Sequence, residues 1–269
     1  MGVVNVTPDS FSDGGRYADP DAAVAHGLEL VAAGADLLDV GGESTRPGAD
    51  PVPIEVERAR VLPVVERLAA EAGVPVSIDT AKAAVARDAL AAGAAVVNDV
   101  TAGRHDPETL GVAGAAGAGY VVMHMQGEPR TMQREPRYDD VVGEVGDFLV
   151  ERLEAAREAG IADAALCADP GIGFGKDVSH NLELLARLRE LATRVGVPLL
   201  VGTSRKTFVG RVVGAATGAA PLAVDEREEG TLATVVWALD HGAAIVRVHD
   251  VAPAATAVRL LTTMVVAAA

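Results

Sequence analysis

The architecture can be inferred from PVSIDTAKAAVARDALAAGAAVVNDV, residues 75–100. Two short apolar runs, residues 75–79 and 95–100, enclose an alanine-rich stretch with helical spacing, and Gly93 stands just before the second run. Both runs are nearly continuous in apolar character, which is typical of parallel strands buried on both faces. Glycine readily adopts the left-handed conformation that ends a helix. The segment therefore predicts a strand, a helix and a second, parallel strand.

The same pattern recurs along the whole chain of 269 residues. Strand-like runs lie at about residues 2–6, 36–40, 75–79, 95–100, 120–125, 165–169, 198–202 and 244–249. Helical spacing is clearest in residues 21–33, 55–72, 81–92 and 181–195, and glycines precede the next strand at Gly34, Gly73, Gly93, Gly160, Gly196 and Gly242. Eight such units predict an α/β fold, a (β/α)8 TIM barrel, as a single domain over residues 1–269. A doubly wound open sheet is the alternative, but it usually has fewer strands at this length.

The longest connections all follow strands. They cover about residues 7–19, 41–53, 126–138, 170–180 and 204–224. Loops that follow strands lie at the carboxyl end of a barrel, where barrel enzymes build their active sites. The asymmetry predicts an enzyme.

Composition narrows the class of protein. The formal net charge of −15 argues against a nucleic-acid partner, because phosphate backbones require a basic face. No apolar run reaches the roughly 18 residues of a membrane helix, and the N-terminus lacks the pattern of a secretory signal. The single cysteine, Cys167, agrees with a reducing compartment. We expect a cytoplasmic protein without a membrane partner.

Polar side chains occur at the end of every predicted strand. They are Asn5, Asp39, Asp79, Asn98 with Asp99, His124, Asp169, Ser204 with Arg205 and Lys206, and Arg247 with His249. An Asp after a strand commonly caps the following helix, and Asp79 followed by Thr80 fits that alternative. Because capping alone hardly explains polar ends on all eight strands, we expect these side chains to form one site.

Three of these groups suit a flat heterocycle. Asp79, Asn98 and Asp169 offer acceptors and an amide to a donor-rich edge such as that of a 2-amino-4-oxo-pteridine. The glycine-rich stretch DPGIGFGK, residues 169–176, lacks the spacing of a phosphate-binding Walker A loop. We interpret it as a tight turn that lets the backbone approach the ligand, with Phe174 available to pack on it.

Other strand-end groups suit a phosphate. Lys206, Arg247 and His249 are cationic or can become so, and the alternation of side chains along a strand places Arg247 and His249 on the same face. Asn5 offers the neutral oxygen that Mg²⁺ accepts when substrate phosphates complete its coordination shell.

Several stretches resemble, in order, the signatures of the dihydropteroate synthase family. They are NVTPDSFSDGG (5–15), DVGGESTRPG (39–48), SIDT (77–80), NDV (98–100), DPGIGF (169–174), GTSRK (202–206) and RVHD (247–250). The first two are long and specific, and the resemblance covers essentially the whole chain. It implies an enzyme that joins a dihydropterin diphosphate to p-aminobenzoate and releases pyrophosphate, with Mg²⁺ as cofactor. It also implies a homodimer and competition by sulfonamides.

The resemblance implies a role for each matching residue. The metal ligands would be Asn5 and Asp13, and the pyrophosphate would contact Asn5, Thr45, Arg247 and His249. The pterin would contact Asp79, Asn98, Met123, Asp169, Phe174, Gly202, Lys206 and Arg247. The p-aminobenzoate would contact Phe11, Thr45, Arg46, Pro47 and Thr207, where the family often has Ser at this last position. The catalytic set would be Arg46, Lys206, Arg247 and His249.

Two other functions remain as alternatives. A pterin-binding methyltransferase barrel shares the carboxylates and the amide but has no need of the cationic groups that suit pyrophosphate. A non-catalytic paralogue would keep the fold and lose turnover, and only an assay separates it from the enzyme. Within the synthase, His249 as a general base is the alternative to a mainly electrostatic mechanism.

Overall fold

The computed structural model describes residues 1–7, 19–45, 48–128 and 130–268. Within these ranges the chain forms eight strands and ten α-helices. The strands are β1 (Gly2–Asn5), β2 (Leu38–Gly41), β3 (Val76–Asp79), β4 (Val96–Asp99), β5 (Gly119–Met123), β6 (Leu166–Asp169), β7 (Leu199–Val201) and β8 (Ala243–Val246). The helices are α1 (Pro20–Ala32), α2 (Ile54–Glu71), α3 (Ala83–Ala91), α4 (Glu108–Ala116), α5 (Val141–Glu158), α6 (Val178–Ala186), α7 (Leu188–Val195), α8 (Thr207–Thr217), α9 (Glu228–Asp240) and α10 (Val251–Ala268). No helix in the described ranges combines the length and the apolar character that crossing a membrane requires.

The strands form one curled sheet in which every neighbouring pair is parallel and the order runs from β1 to β8. A doubly wound sheet reverses its order at a switch point, so that alternative is wrong. The predicted α/β class is confirmed. Backbone hydrogen bonds also join the two ends of the order: Val3 N–H donates to the carbonyl of Val248 (3.1 Å), and Val248 N–H donates to the carbonyl of Met1 (3.0 Å).

Side chains inside the curl change from apolar to polar along the strands. One buried cluster combines Val121, Cys167 and Leu200 with Val96 and Ile245, from β4 to β8, and with Met1, which precedes β1. Two residues further along, on the same face of their strands, come Asn98, Met123, Asp169, Gly202 and Arg247. Polar groups therefore stand on an apolar floor at the carboxyl end of the sheet, where the sequence predicts the site.

Glycines end the helices as predicted. Each of the six adopts a positive φ, between 68° and 107°: Gly34, Gly73, Gly93, Gly160, Gly196 and Gly242. This conformation reverses the chain after a helix without a side-chain clash.

The single helix predicted over residues 181–195 is wrong. The chain forms α6 and α7 instead, with Arg187 between them in a non-helical conformation (φ −105°, ψ 23°). Its guanidinium pairs with Glu183 (2.8 Å), Glu190 (2.7 Å) and Asp140 (3.1 Å), the residue that precedes α5. The break gives α7 its own buried apolar residues.

Candidate active site

Arg247 forms a network with three polar side chains, namely Asp39 within β2, Asp79 at the end of β3 and Asn98 near the end of β4. Arg247 Nε donates to Asp39 Oδ2 (2.6 Å), and its Nη2 donates to Asp79 Oδ2 (2.9 Å). Asn98 Nδ2 donates to the same oxygen of Asp39 (2.9 Å). Asp79 and Asn98 are cross-strand partners in the register of β3 and β4. Arg247 thus joins the carboxylates of Asp39 and Asp79, and the amide of Asn98 holds Asp39 through a further hydrogen bond.

Burial dominates the electrostatics of this network. Burial and the nearby carboxylate of Asp39 raise the pKa of Asp79 above its ordinary value, although the charge of Arg247 acts in the opposite direction. Burial by itself lowers the pKa of Arg247, but Asp39 and Asp79 raise it above its ordinary value. Arg247 is therefore a permanent cation, and its charge favours the ionised form of Asp79 against the effect of burial.

Asp39 is a site residue to which the sequence analysis gave no role. Its side chain is fully buried, and its Oδ1 has no hydrogen-bond partner among the described residues. The same holds for Oγ of Ser77, its register partner on β3. A carboxylate in the middle of an apolar strand was the available signal, because such a group needs a partner inside the sheet.

Lys206 and Asp169 form the opposite side of the site. Lys206 Nζ donates to the carbonyl of Ile172 and lies 4.4 Å from the centre of the Phe174 ring. Burial lowers the pKa of Lys206 to about 8; Asp169 counteracts this shift and Arg247 adds to it. Burial likewise raises the pKa of Asp169, which the charge of Lys206 opposes. The ammonium and the carboxylate stabilise each other's charged forms.

The glycine-rich stretch is the tight turn that the sequence predicts. Gly171, Gly173 and Gly175 have φ of 64°, 83° and 62°. A Cβ added to Gly171 would lie 1.9 Å from the carbonyl oxygen of His124, so no side chain fits there. Phe174 packs against the apolar cluster that contains Met123. The turn brings Met123 and Phe174 together beside the pterin-directed groups.

His124 and Lys176 support this turn from beneath. Lys176 is 2% exposed, and its Nζ contacts His124 Nδ1 (2.8 Å) and the carbonyls of Gly171 (3.0 Å) and Phe174 (3.1 Å). Burial, followed by the charge of Lys176, lowers the pKa of His124 to about 2. His124 is therefore a neutral acceptor for Lys176, and the pair has a structural role.

The remaining predicted residues are distributed around these two groups. His249 Nδ1 lies 3.0 Å from Ser204 Oγ, and a Cβ at Gly202 would lie 3.8 Å from that of Arg247. Asn5 ends β1 and is half-buried, as is Thr45 in the loop after β2, whereas Thr207 is exposed at the start of α8. Four predicted residues lie outside the described ranges: Phe11, Asp13, Arg46 and Pro47.

Asp99 belongs to the outer face of the sheet. Its carboxylate accepts hydrogen bonds from Tyr120 Oη (2.7 Å), from the backbone of Gly103 (2.8 Å) and from Thr101 (2.7 Å). Because neighbouring side chains of a strand point to opposite faces, Asn98 faces inward and Asp99 does not. The expectation that every polar strand end contributes to one site is wrong here.

The interpretation of Asp79 as a helix cap is also wrong. The cap position of α3 is Lys82, and the N–H of Ala83 donates instead to Asp106 Oδ2 in the following loop (2.8 Å). Asp79 makes no cap for α3 and pairs with Arg247 instead.

The described residues offer little for an all-protein metal site, since they contain no group of three His, Cys, Asp or Glu side chains arranged to hold an ion. Mg²⁺, however, commonly takes one or two protein oxygens and completes its shell from phosphates and water. Asn5, at the carboxyl end of β1, is a donor of that kind.

Known proteins resemble this chain over nearly its whole length. The family model described as "Pterin binding enzyme" matches residues 1–249. The dihydropteroate synthase of Escherichia coli is 46% identical over 261 residues, which is 97% of this chain and 89% of the relative. A structure of the Xanthomonas albilineans enzyme with 4-aminobenzoic acid matches with a TM-score of 0.89 and 48% identity, covering 98% of this chain and 92% of the other. A second structure of that enzyme, in complex with 7,8-dihydropteroate, matches with a TM-score of 0.86 and 46% sequence identity, covering 98% of this chain and 92% of the other.

Proposed function

This chain belongs to the dihydropteroate synthase family of pterin-binding enzymes, and we propose on that basis that it condenses 6-hydroxymethyl-7,8-dihydropterin diphosphate with p-aminobenzoate. The products are 7,8-dihydropteroate and pyrophosphate. The observation that carries the proposal is the pair of polar groups on the apolar floor. Asp79 and Asn98 with Arg247 stand on one side, and Asp169 with Lys206 stands on the other.

The pterin ring binds between these two sides. The carboxylates of Asp79 and Asp169 accept from the ring's N–H groups, and Asn98 can both donate and accept. Lys206 donates to a ring acceptor, and Phe174 packs on the ring. Of the nitrogens of Arg247, Nε and Nη2 already bind carboxylates, so this residue aligns the pterin-reading groups in addition to facing the anion.

Catalysis is mainly electrostatic. The CH₂–O bond breaks and its electron pair leaves with pyrophosphate, because the electron-rich ring delocalises the resulting cation. The aniline nitrogen of p-aminobenzoate then forms the C–N bond and loses a proton. Asp79 and Asp169 stabilise the cationic pterin, while Arg247 and His249 stabilise the departing charge. Ser204, 3.0 Å from His249, orients the imidazole; His249 as a general base is the alternative role.

Mg²⁺ is part of the proposal. Asn5 would hold the ion together with the diphosphate oxygens, and Asp13 is the second candidate ligand. A bound Mg²⁺ supplies positive charge to the leaving group.

Three further features complete the proposal. The sheet closes into a (β/α)8 barrel, which the hydrogen bonds between Val3, Val248 and Met1 support. The protein works in the cytoplasm.

We also propose that it forms a homodimer. Large exposed apolar side chains on α9 and α10 support this: Trp237 is 46% exposed, Leu260 61% and Met264 57%. Sedimentation should give the mass of two chains for wild type and of one for Leu260→Glu; a monomeric wild type contradicts the dimer.

The decisive experiment measures pyrophosphate release from the dihydropterin diphosphate, with and without p-aminobenzoate and with and without Mg²⁺. Release that requires p-aminobenzoate and yields dihydropteroate supports the function, and its loss on chelation supports the cofactor. No release from folded protein favours a non-catalytic paralogue.

A further inference from the structure

A buried lysine lies between the pterin side of the site and the loop after β2. Lys82 is 9% exposed, and its Nζ contacts Glu43 Oε2 (2.6 Å), Glu57 Oε2 (2.5 Å) and the carbonyl of Val52 (2.6 Å). An ammonium has three N–H donors, and each has one acceptor here. We call these four residues the Lys82 cluster.

The cluster ties together both ends of one loop. Glu43 lies just after β2 and Val52 just before α2, and both bind the same ammonium. Glu43 Oε1 also accepts from the backbone N–H of Val52 (3.0 Å). The segment from residue 44 to residue 51 is therefore closed at its base by side-chain and backbone bonds.

The cluster is also fixed to the strand that carries Asp79. Thr80 directly follows Asp79, and its Oγ1 donates to Glu57 Oε1 (2.7 Å). Lys82 lies two residues further along. The base of the loop and the pterin-directed end of β3 thus share one set of bonds.

Packing leaves the start of the loop little freedom. A Cβ added to Gly42 would lie 2.6 Å from Cγ1 of Val61 on α2, and Arg60 Nη1 donates to the Gly42 carbonyl (2.8 Å). Glu43 follows directly, so its carboxylate is aimed from a fixed point.

Stability alone does not explain why charges occupy this place. Glu57 is fully buried, and a buried ion pair is often no more stabilising than apolar residues of the same volume. Burial lowers the pKa of Lys82, but Glu43 and Glu57 raise it above its ordinary value, so the lysine remains charged. What charges add over apolar packing is directional bonding, which fixes geometry.

We propose that Lys82 is a positioning residue, which through Glu43 and Val52 holds the loop bearing Thr45 in register with the pterin site. The proposal rests on the proposed function. Thr45 lies two residues beyond Glu43 and belongs to the p-aminobenzoate and pyrophosphate side, whereas the pterin is read from the strands. Loosening the cluster therefore impairs the binding of p-aminobenzoate, the contact with the diphosphate and the chemical step, while the affinity for the dihydropterin without its diphosphate stays unchanged.

Glu43 is the position to vary, because removing Lys82 would leave the buried Glu57 without its cation. In Glu43→Ala, KM for p-aminobenzoate should rise about tenfold and kcat should fall, with the Kd for the pterin within about twofold. Glu43→Gln keeps one acceptor and should lie between Ala and wild type. Arg58→Ala is the matched control, because Arg58 pairs with Asp88 and so joins α2 to α3, without a bond to the described residues among 43–52. It should lower the melting temperature without changing the ratio of the two substrate constants.

Amide hydrogen exchange provides a readout that does not depend on turnover. Exchange over residues 43–52 should be faster in Glu43→Ala than in wild type and unchanged in Arg58→Ala. Unchanged kinetics in folded Glu43→Ala overturns the proposal, and so do equal losses of affinity for p-aminobenzoate and for the dihydropterin without its diphosphate. Exchange that is faster only in Glu43→Ala, with a wild type that lacks p-aminobenzoate-dependent release, overturns the proposed function and leaves the structural role of the cluster intact.

Discussion

Lys206 is the side chain whose loss should separate activity from folding most clearly. Lys206 is the positively charged group beside Asp169. Its ammonium donates to the Ile172 carbonyl and lies over the Phe174 ring. Lys206→Ala should lower kcat/KM at least about a hundredfold, because a charged donor to the pterin is lost. Circular dichroism should show a folded protein.

The neighbouring Arg205→Ala is the control for Lys206. Arg205 pairs with Asp250 at the surface (2.7 Å), so its removal should change kcat/KM by less than about threefold. Near-normal activity in Lys206→Ala would exclude it from the catalytic machinery.

The lowered pKa of Lys206 predicts a basic limit of activity. Burial lowers this pKa to about 8, below the ordinary value of 10.5, so the ammonium is lost as pH rises through about 8. The value of kcat/KM should then fall about tenfold per pH unit above that point. Because Asp169 raises this pKa, Asp169→Asn should move the decline in residual activity to lower pH. A decline at the same pH in both proteins would assign it to another group.

Gly171 allows a direct measurement of the close approach beneath the glycine-rich turn. Gly171→Ala should lower the free energy of unfolding by about 2–4 kcal/mol, because the new Cβ meets the His124 carbonyl and the left-handed backbone is strained. Gly117→Ala is matched in backbone, with the same φ of 64° but no atom within 4 Å of the added Cβ, and should cost only about 1 kcal/mol. Equal values in urea unfolding would contradict the predicted clash.

At the scale of elements, the strands and helix ends follow from local sequence, and the junctions do not. β3 was predicted at residues 75–79 and is found at Val76–Asp79, because an apolar run before a polar residue is a local signal. At the break between α6 and α7, Arg187 also pairs with Asp140, which is 47 positions away in sequence. No local periodicity contains such a partner.

The same distinction holds within the site. Asp79 and Asn98 could be predicted because polar groups at strand ends converge in a parallel sheet. Asp99 faces outward because neighbouring side chains of a strand point to opposite faces and Asn98 faces inward. On the outer face, Tyr120 donates a hydrogen bond to Asp99. The contact of Lys82 with Glu43 and Glu57 could not be predicted, because it requires α2 to pack against the end of β3.

A helix capped from a neighbouring loop offers a test at this scale. Asp106 accepts the first N–H of α3 from a loop 23 positions away in sequence. Asp106→Ala should therefore destabilise the protein by about 1–2 kcal/mol, as the loss of an N-cap does. Asp106→Asn keeps a hydrogen-bond acceptor, so urea unfolding should show most of the wild-type free energy of unfolding. Equal losses of stability in the two variants would show that the charge of Asp106, and not the cap, stabilises the protein.

At the scale of the whole molecule, the site joins residues from opposite ends of the chain. Asp39 and Arg247 are 208 positions apart, and the amino group of Met1 donates to the carbonyl of Val246. Contacts of such long sequence separation slow folding and favour partly folded intermediates. We therefore expect urea refolding to restore secondary structure before pterin binding.

The pairing of Arg247 with two carboxylates also has a consequence for synthesis on the ribosome. A chain that ends before β8 lacks the guanidinium that pairs with both Asp39 and Asp79 in the folded protein, so burying these two carboxylates together costs it more. Premature termination before residue 247 thus removes this cation and leaves the two carboxylates without their shared partner. We therefore expect such fragments to be less stable than the full-length chain and to be cleaved more readily by proteases, because the late arginine completes the network of Asp39 and Asp79.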